Sequence, residues 1–130
     1  MTADWRTVAR DMTALSDREA IAFPDVVARL TDAGVERYEA DLTRALKTYY
    51  RPDGTSEAIP CDPLGAAPAE AFSAAGVEAA VRAIQAGRMG YKTFCARIAD
   101  AGCVGYVVSI AVYYGRTMDS HVEWFPGARQ

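Results

Sequence analysis

The segment DSHVEW, residues 119–124, sets the chain's one histidine between two carboxylates. If residues 119–123 form a strand, Asp119, His121 and Glu123 share a face, because strand side chains alternate with period two. Imidazole beside carboxylate is the chemistry of a partial zinc or iron site, or of an acid–base pair in which the carboxylate tunes the imidazole. A single histidine cannot complete a two-histidine triad within one subunit, so no metal site is assigned and no cofactor is implied. The plainer reading of the three residues is a polar strand face.

The three cysteines are Cys61, Cys95 and Cys103, an odd number without CxxC spacing. That argues against a disulfide framework and against a zinc knuckle, and makes reduced thiols the default. A nucleophilic thiol would need a nearby base or helix N-terminus to lower its pKa. Cys95 and Cys103 stand where an earlier part of the chain has Val27 and Val35, which points to small buried groups. Cys61 is expected to be the exposed thiol.

Two further residue sets could bind. In the adjacent pairs Tyr49-Tyr50 and Tyr113-Tyr114, one ring of each must face the core and the other outward. Outward Tyr50 and Tyr114 could line a groove or a dimer contact, or form ordinary cross-strand pairs. Arg29 and Arg97 recur three residues before Asp32 and Asp100, which reads as a solvated helix face, or as an anion site if both helices turn inward.

These correspondences come from a repeat. ARLTDAGV, residues 28–35, returns as ARIADAGC, residues 96–103. Tyr38 matches Tyr106 in the same register, and after a deletion Tyr49-Tyr50 matches Tyr113-Tyr114. Self-similarity at long period marks a structural unit used more than once. The chain is therefore expected to be one domain of two repeats, about residues 1–60 and 72–130, joined by the Pro/Gly/Ala-rich residues 60–71.

Each repeat spells the same elements. Trp5, Val8, Met12 and Leu15 form one helical stripe, and Val26, Val27, Leu30 and Ala33 a second, closed by Gly34. Val77, Val81 and Ile84, closed by Gly87, and Phe94, Cys95, Ile98 and Ala101, closed by Gly102, repeat the arrangement. The period then becomes two: Tyr38, Ala40 and Leu42 alternate with charges, and LKTYYR is followed by the turn PDGTS and by EAIP. YVVSIAVYY, residues 106–114, reads either as one long strand or as a tight reversal near residues 109–111, before HVEWF. The predicted fold is α+β, with helices on antiparallel sheet units that join or pack back to back.

Composition narrows the function classes. With 130 residues and about half of them apolar, the chain can bury one core. Fourteen basic and seventeen acidic residues give a formal charge of −3 with no basic stripe, which argues against nucleic acid. No run approaches the roughly 18 apolar residues of a membrane span, and the start has no signal-like apolar region, so a soluble cytoplasmic protein without a membrane partner is expected. GxGxxG, GxxxxGK[ST], GxSxG and HExxH are absent.

AGRMGYKTFCARIADAGCVGY at residues 86–106, YYGRTMDSHVEWFP at 113–126 and AGVERYEADLTRALKTYYRPDG at 33–54 resemble the domain of unknown function 1398 family, often labelled phage envelope protein. GYKTFC and the closing HVEWFP are the most specific parts. The resemblance implies an α+β fold and a bacterial or phage origin, and carries no catalytic residues. The favoured function is a non-catalytic binding or interaction module for a protein or small-molecule partner. The alternative is a small metal-dependent or acid–base enzyme using His121 with Asp119 and Glu123. An open sheet edge would offer a route to a homodimer.

Overall fold

The computed structural model describes residues 4–109, 112–116 and 119–122. Helices α1 (Trp5–Asp17) and α2 (Phe23–Asp32) lead into strands β1 (Arg37–Asp41), β2 (Leu46–Tyr50) and β3 (Ser56–Pro60). Helices α3 (Ala74–Gln85) and α4 (Tyr91–Asp100) then lead into β4 (Cys103–Val108), β5 (Val112–Gly115) and β6 (Ser120–Val122). The order helix, helix, strand, strand, strand thus occurs twice. All six strands form one antiparallel sheet in the order β3-β2-β1-β4-β5-β6, so the two three-stranded units join edge to edge through β1 and β4. Tyr106 pairs with Tyr113 and Val107 with Val112, so β4 and β5 are two antiparallel strands and not one, while residues 110–111 of the expected reversal lie outside the described residues.

Alternation in the register separates two faces. Tyr38, Ala40, Tyr49, Ile59, Tyr106, Val108 and Tyr113 fall on one side and are buried in a single core with residues from all four helices. Arg37, Glu39, Thr48, Tyr50, Val107 and Tyr114 fall on the other and are partly exposed. The stripes behave as their spacing demands: Trp5 and Met12 of α1, Leu30 of α2, Val77 and Val81 of α3, and Phe94 and Ile98 of α4 are buried. Tyrosines pack within the sheet and against the helices, with the Tyr38 and Tyr49 rings of neighbouring strands 5.1 Å apart and the rings of Phe94 on α4 and Tyr113 on β5 edge-on at 6.1 Å.

Gly34 and Gly102 end α2 and α4 at φ +88° and +84°, a conformation costly for any residue with a Cβ. Residues 61–73, between β3 and α3, are fixed to the fold by Cys61 N–H to the Ala45 carbonyl, Ala69 N–H to Ala99 and Ser73 N–H to Ala101. The carboxylate of Glu19, just after α1, accepts from the Lys92 N–H at 2.9 Å in the first turn of α4. An acceptor from elsewhere in the chain thereby satisfies one of that helix's orphan donors.

One polar contact inside the core can be assigned a direction. The Thr13 hydroxyl donates to the Ala9 carbonyl at 2.9 Å, so at the 2.7 Å contact between Thr13 Oγ1 and Tyr49 Oη the phenol donates. Tyr49 is fully buried. Thr13→Val leaves its hydroxyl without an acceptor and is expected to cost about 1–3 kcal/mol in urea unfolding. Adding Tyr49→Phe should recover part of that loss in a double-mutant cycle, and strict additivity would show that the contact contributes nothing.

Candidate functional site

The residues singled out by sequence are dispersed. His121 on β6 pairs with Tyr113, and the register puts it on the helix-covered face. Asp119 precedes the strand, is exposed, and accepts the Gly115 N–H through its carbonyl at 2.8 Å. Glu123 lies outside the described residues. Among the described residues no group of three or more His, Cys, Asp or Glu could hold a metal ion. Tyr50 and Tyr114 do share the uncovered face. Their strands are three spacings apart, about 14 Å, with β1 and β4 between them, and the register sets the two residues further apart along the strands, level with Arg37 and Asp41 of β1. The Arg37 guanidinium sits 4.1 Å over the Tyr50 ring, and the Tyr114 hydroxyl donates to Glu39 at 3.4 Å. They line no common groove. Arg29 and Arg97 are exposed on their helices and line neither of the cavities described below.

The cysteines follow the packing reading. Cys95 and Cys103 are buried, and the Cys103 thiol donates to the Gly105 carbonyl at 3.1 Å. Burial pushes the Cys95 thiol up to about 11, which makes it a poor thiolate. Cys61 is the most exposed of the three, yet only partly so, and it forms the wall of a cavity.

That cavity contains the residue the sequence analysis passed over. Lys47 of β2 has the same strand parity as Tyr49, and its neighbours in register are Ala40 and Ile59. Its side chain must therefore enter the core, and it is only 3% exposed. The ammonium Nζ lies 4.4 Å from the centre of the Tyr91 ring, a cation–π contact. Among the described residues no carboxylate or carbonyl pairs with it. Burial lowers its pKa below the ordinary 10.5, opposed in part by Cys61, Cys95 and Asp17. Tyr91 in turn shares a 2.6 Å hydroxyl–hydroxyl hydrogen bond with Tyr106, which holds the ring over the amine.

Lys47, Tyr91, Cys95, Cys61, Asp17, Asp41 and Asp62 border a cavity of about 20 Å³, closed by Ala40, Leu42, Ala45 and Leu64. Its carboxylates are engaged away from the amine. Asp41 accepts from the Thr43 and Arg44 N–H groups, Asp17 from the Asp62 N–H at 3.1 Å, and Asp62 pairs with Lys92 at 2.9 Å. Leu42 and Leu64 are shared with a second, open recess of about 310 Å³, lined also by Thr43, Pro63, Ala66, Ala67, Pro68 and Arg116. Arg116 donates to the Pro68 carbonyl at 3.4 Å, which uses one arm of its guanidinium. The segment read from sequence as a connector is thus one wall of both spaces.

Arg116 thus brings a cation to the edge of the recess, and Lys47 borders the smaller cavity that shares Leu42 and Leu64 with it. No family model matches this chain, and no curated protein matches it. Among the described residues no helix is long and apolar enough to cross a membrane.

Proposed function

We propose that this protein is a non-catalytic binding module that takes a small carboxylate in the recess beside Leu42 and Leu64. The observation that carries the reading is Lys47: a lysine only 3% exposed, whose ammonium makes no hydrogen bond or ion pair among the described residues, at the wall of a cavity adjoining an open recess. Burying such a group costs stability unless it is compensated, and costs of this kind cluster at ligand sites. A recess of about 310 Å³ is within the range of small-ligand sites, and an arginine at its edge suits a carboxylate.

The reading extends to origin. Two helix–helix–strand–strand–strand series, glycines of positive φ at matching helix ends and tyrosines at matching strand positions support a tandem duplication. The same segments carry the resemblance to the domain of unknown function 1398 family, and membership is part of the proposal.

The test is a titration of the ¹⁵N-labelled protein with succinate and benzoate, followed by amide shifts. Saturable changes are expected at Thr43, Leu64, Ala66 and Arg116, and Arg116→Ala should weaken them about tenfold, on the order of the 1.5–3 kcal/mol of a charge-assisted hydrogen bond. Shifts confined to the face bearing Tyr50 and Tyr114, or none at tens of millimolar, would refute the assignment.

A further inference from the structure

We propose that Lys47 is a carbonyl-capture site, whose amine condenses with the ketone or aldehyde carbon of a small oxo acid held through its carboxylate by Arg116. This deepens the recess reading and rests on it. The cavity beside Nζ has about 20 Å³, room for about one water-sized group, which is the size of a carbonyl under attack. The larger recess shares Leu42 and Leu64 with this cavity, and the rest of the molecule would lie there with these two side chains turned aside.

The step balances without any further reactant. The nitrogen lone pair adds to the carbonyl carbon, the oxygen takes up the two protons that the nitrogen gives up, and water leaves as the C=N bond forms. The product keeps the positive charge of the former ammonium once protonated. Asp17 and Asp62 line the same cavity and favour that cation, while Arg116 balances the carboxylate at the opposite end. Desolvation also favours the free amine, the nucleophilic form, over the ammonium. The neighbouring thiol is a weaker competitor, since burial raises the pKa of Cys61.

The sequence supplies an internal control, because its lysines are Lys47 and Lys92. Lys92 is exposed and paired with Asp62, which raises its pKa. The full chain is incubated at neutral pH with 4-oxopentanoate plus cyanoborohydride, which delivers hydride to the imine carbon and fixes it as a secondary amine. Peptide mass mapping then reads the sites. Lys47 should be tagged severalfold over Lys92, because burial disfavours the ammonium at the first while the Asp62 pair favours it at the second, and in urea the ratio should fall to about one. Butanone, lacking the carboxylate, should tag Lys47 less than 4-oxopentanoate, and Arg116→Ala should erase that preference.

Equal tagging of both lysines in the folded protein, or none at Lys47 while the N-terminal amine reacts, overturns the capture. If succinate still shifts the recess amides in that case, capture fails alone. If those shifts are absent as well, the recess reading fails with it.

Discussion

Gly102→Ala is expected to destabilise the protein by about 3 kcal/mol or more, two penalties acting together. The residue lies at φ +84°, where a Cβ costs roughly 1–2 kcal/mol. A Cβ there would also run into the backbone of the connector, meeting the carbonyl oxygen of Ala71 and coming within 2.8 Å of the Phe72 Cα. Backbone pinned at Ser73 by the Ala101 carbonyl has little room to withdraw. Gly34 is the informative comparison. It has nearly the same φ, +88°, but its Cβ would meet the end of the Arg51 side chain at 3.1 Å, which can move. Gly34→Ala should therefore cost only about the conformational 1–2 kcal/mol. In thermal unfolding at this chain length the difference corresponds to several degrees in Tm. Equal losses for the two variants would mean that the connector yields freely and does not wall the recess.

The second large effect has the opposite sign. Lys47→Met should stabilise the fold by about 2 kcal/mol at neutral pH, because an unpaired buried ammonium gives way to an apolar group of similar length that can still contact the Tyr91 ring. The pH dependence gives the check. The folded-state pKa lies below 10.5, so between the two values the unfolded chain binds more protons and the wild type gains stability as pH rises. The penalty is fully present below the folded-state value and disappears toward 10.5. Consequently the advantage of Lys47→Met should be largest near neutrality and shrink as pH approaches 10. Buried tyrosines titrate at the alkaline end in both proteins, so the difference between them is the quantity to follow. A Met variant less stable than the wild type would show that the cation–π contact with Tyr91 outweighs desolvation.

How legible all this was depends on how many residues carry each signal. Helix stripes draw on several positions at once, and Met12, Leu30, Val81 and Ile98 are buried where their spacing put them. The alternation Tyr38, Ala40, Leu42 likewise gave the inner face of β1. The reversal between β4 and β5 has no mark in the sequence, because both strands belong to one uninterrupted run of β-formers without a Gly or Pro at a turn. Lys47 was missed for a related reason. In LKTYYR the eye is drawn to the tyrosines, and a lysine reads as a solvent-facing spacer. Its parity with Tyr49 was the available signal: whichever face takes one must take the other, and a core-facing Tyr49 obliges Lys47 to be buried. The tyrosine pairs were assigned to faces correctly, one ring in and one ring out. What alternation cannot supply is lateral distance, which depends on strand order, and the order set Tyr50 and Tyr114 far apart.

The seam between β1 and β4 has a consequence for how this chain reaches its folded state. Hairpins β1–β2–β3 and β4–β5 close through short turns and can form early, whereas the β1–β4 ladder joins partners from opposite ends of the sequence, Tyr38 with Val108 and Asp41 with Gly105. Until that ladder zips, each half presents a complete row of unsatisfied amides and carbonyls along the strand that will become the middle of the sheet. The two rows belong to similar units, so a nascent half can be completed by its own sister or by the corresponding half of a neighbouring molecule. Covalent tethering within one chain raises the local concentration of the correct sister far above that of any neighbour, and so directs the pairing inward.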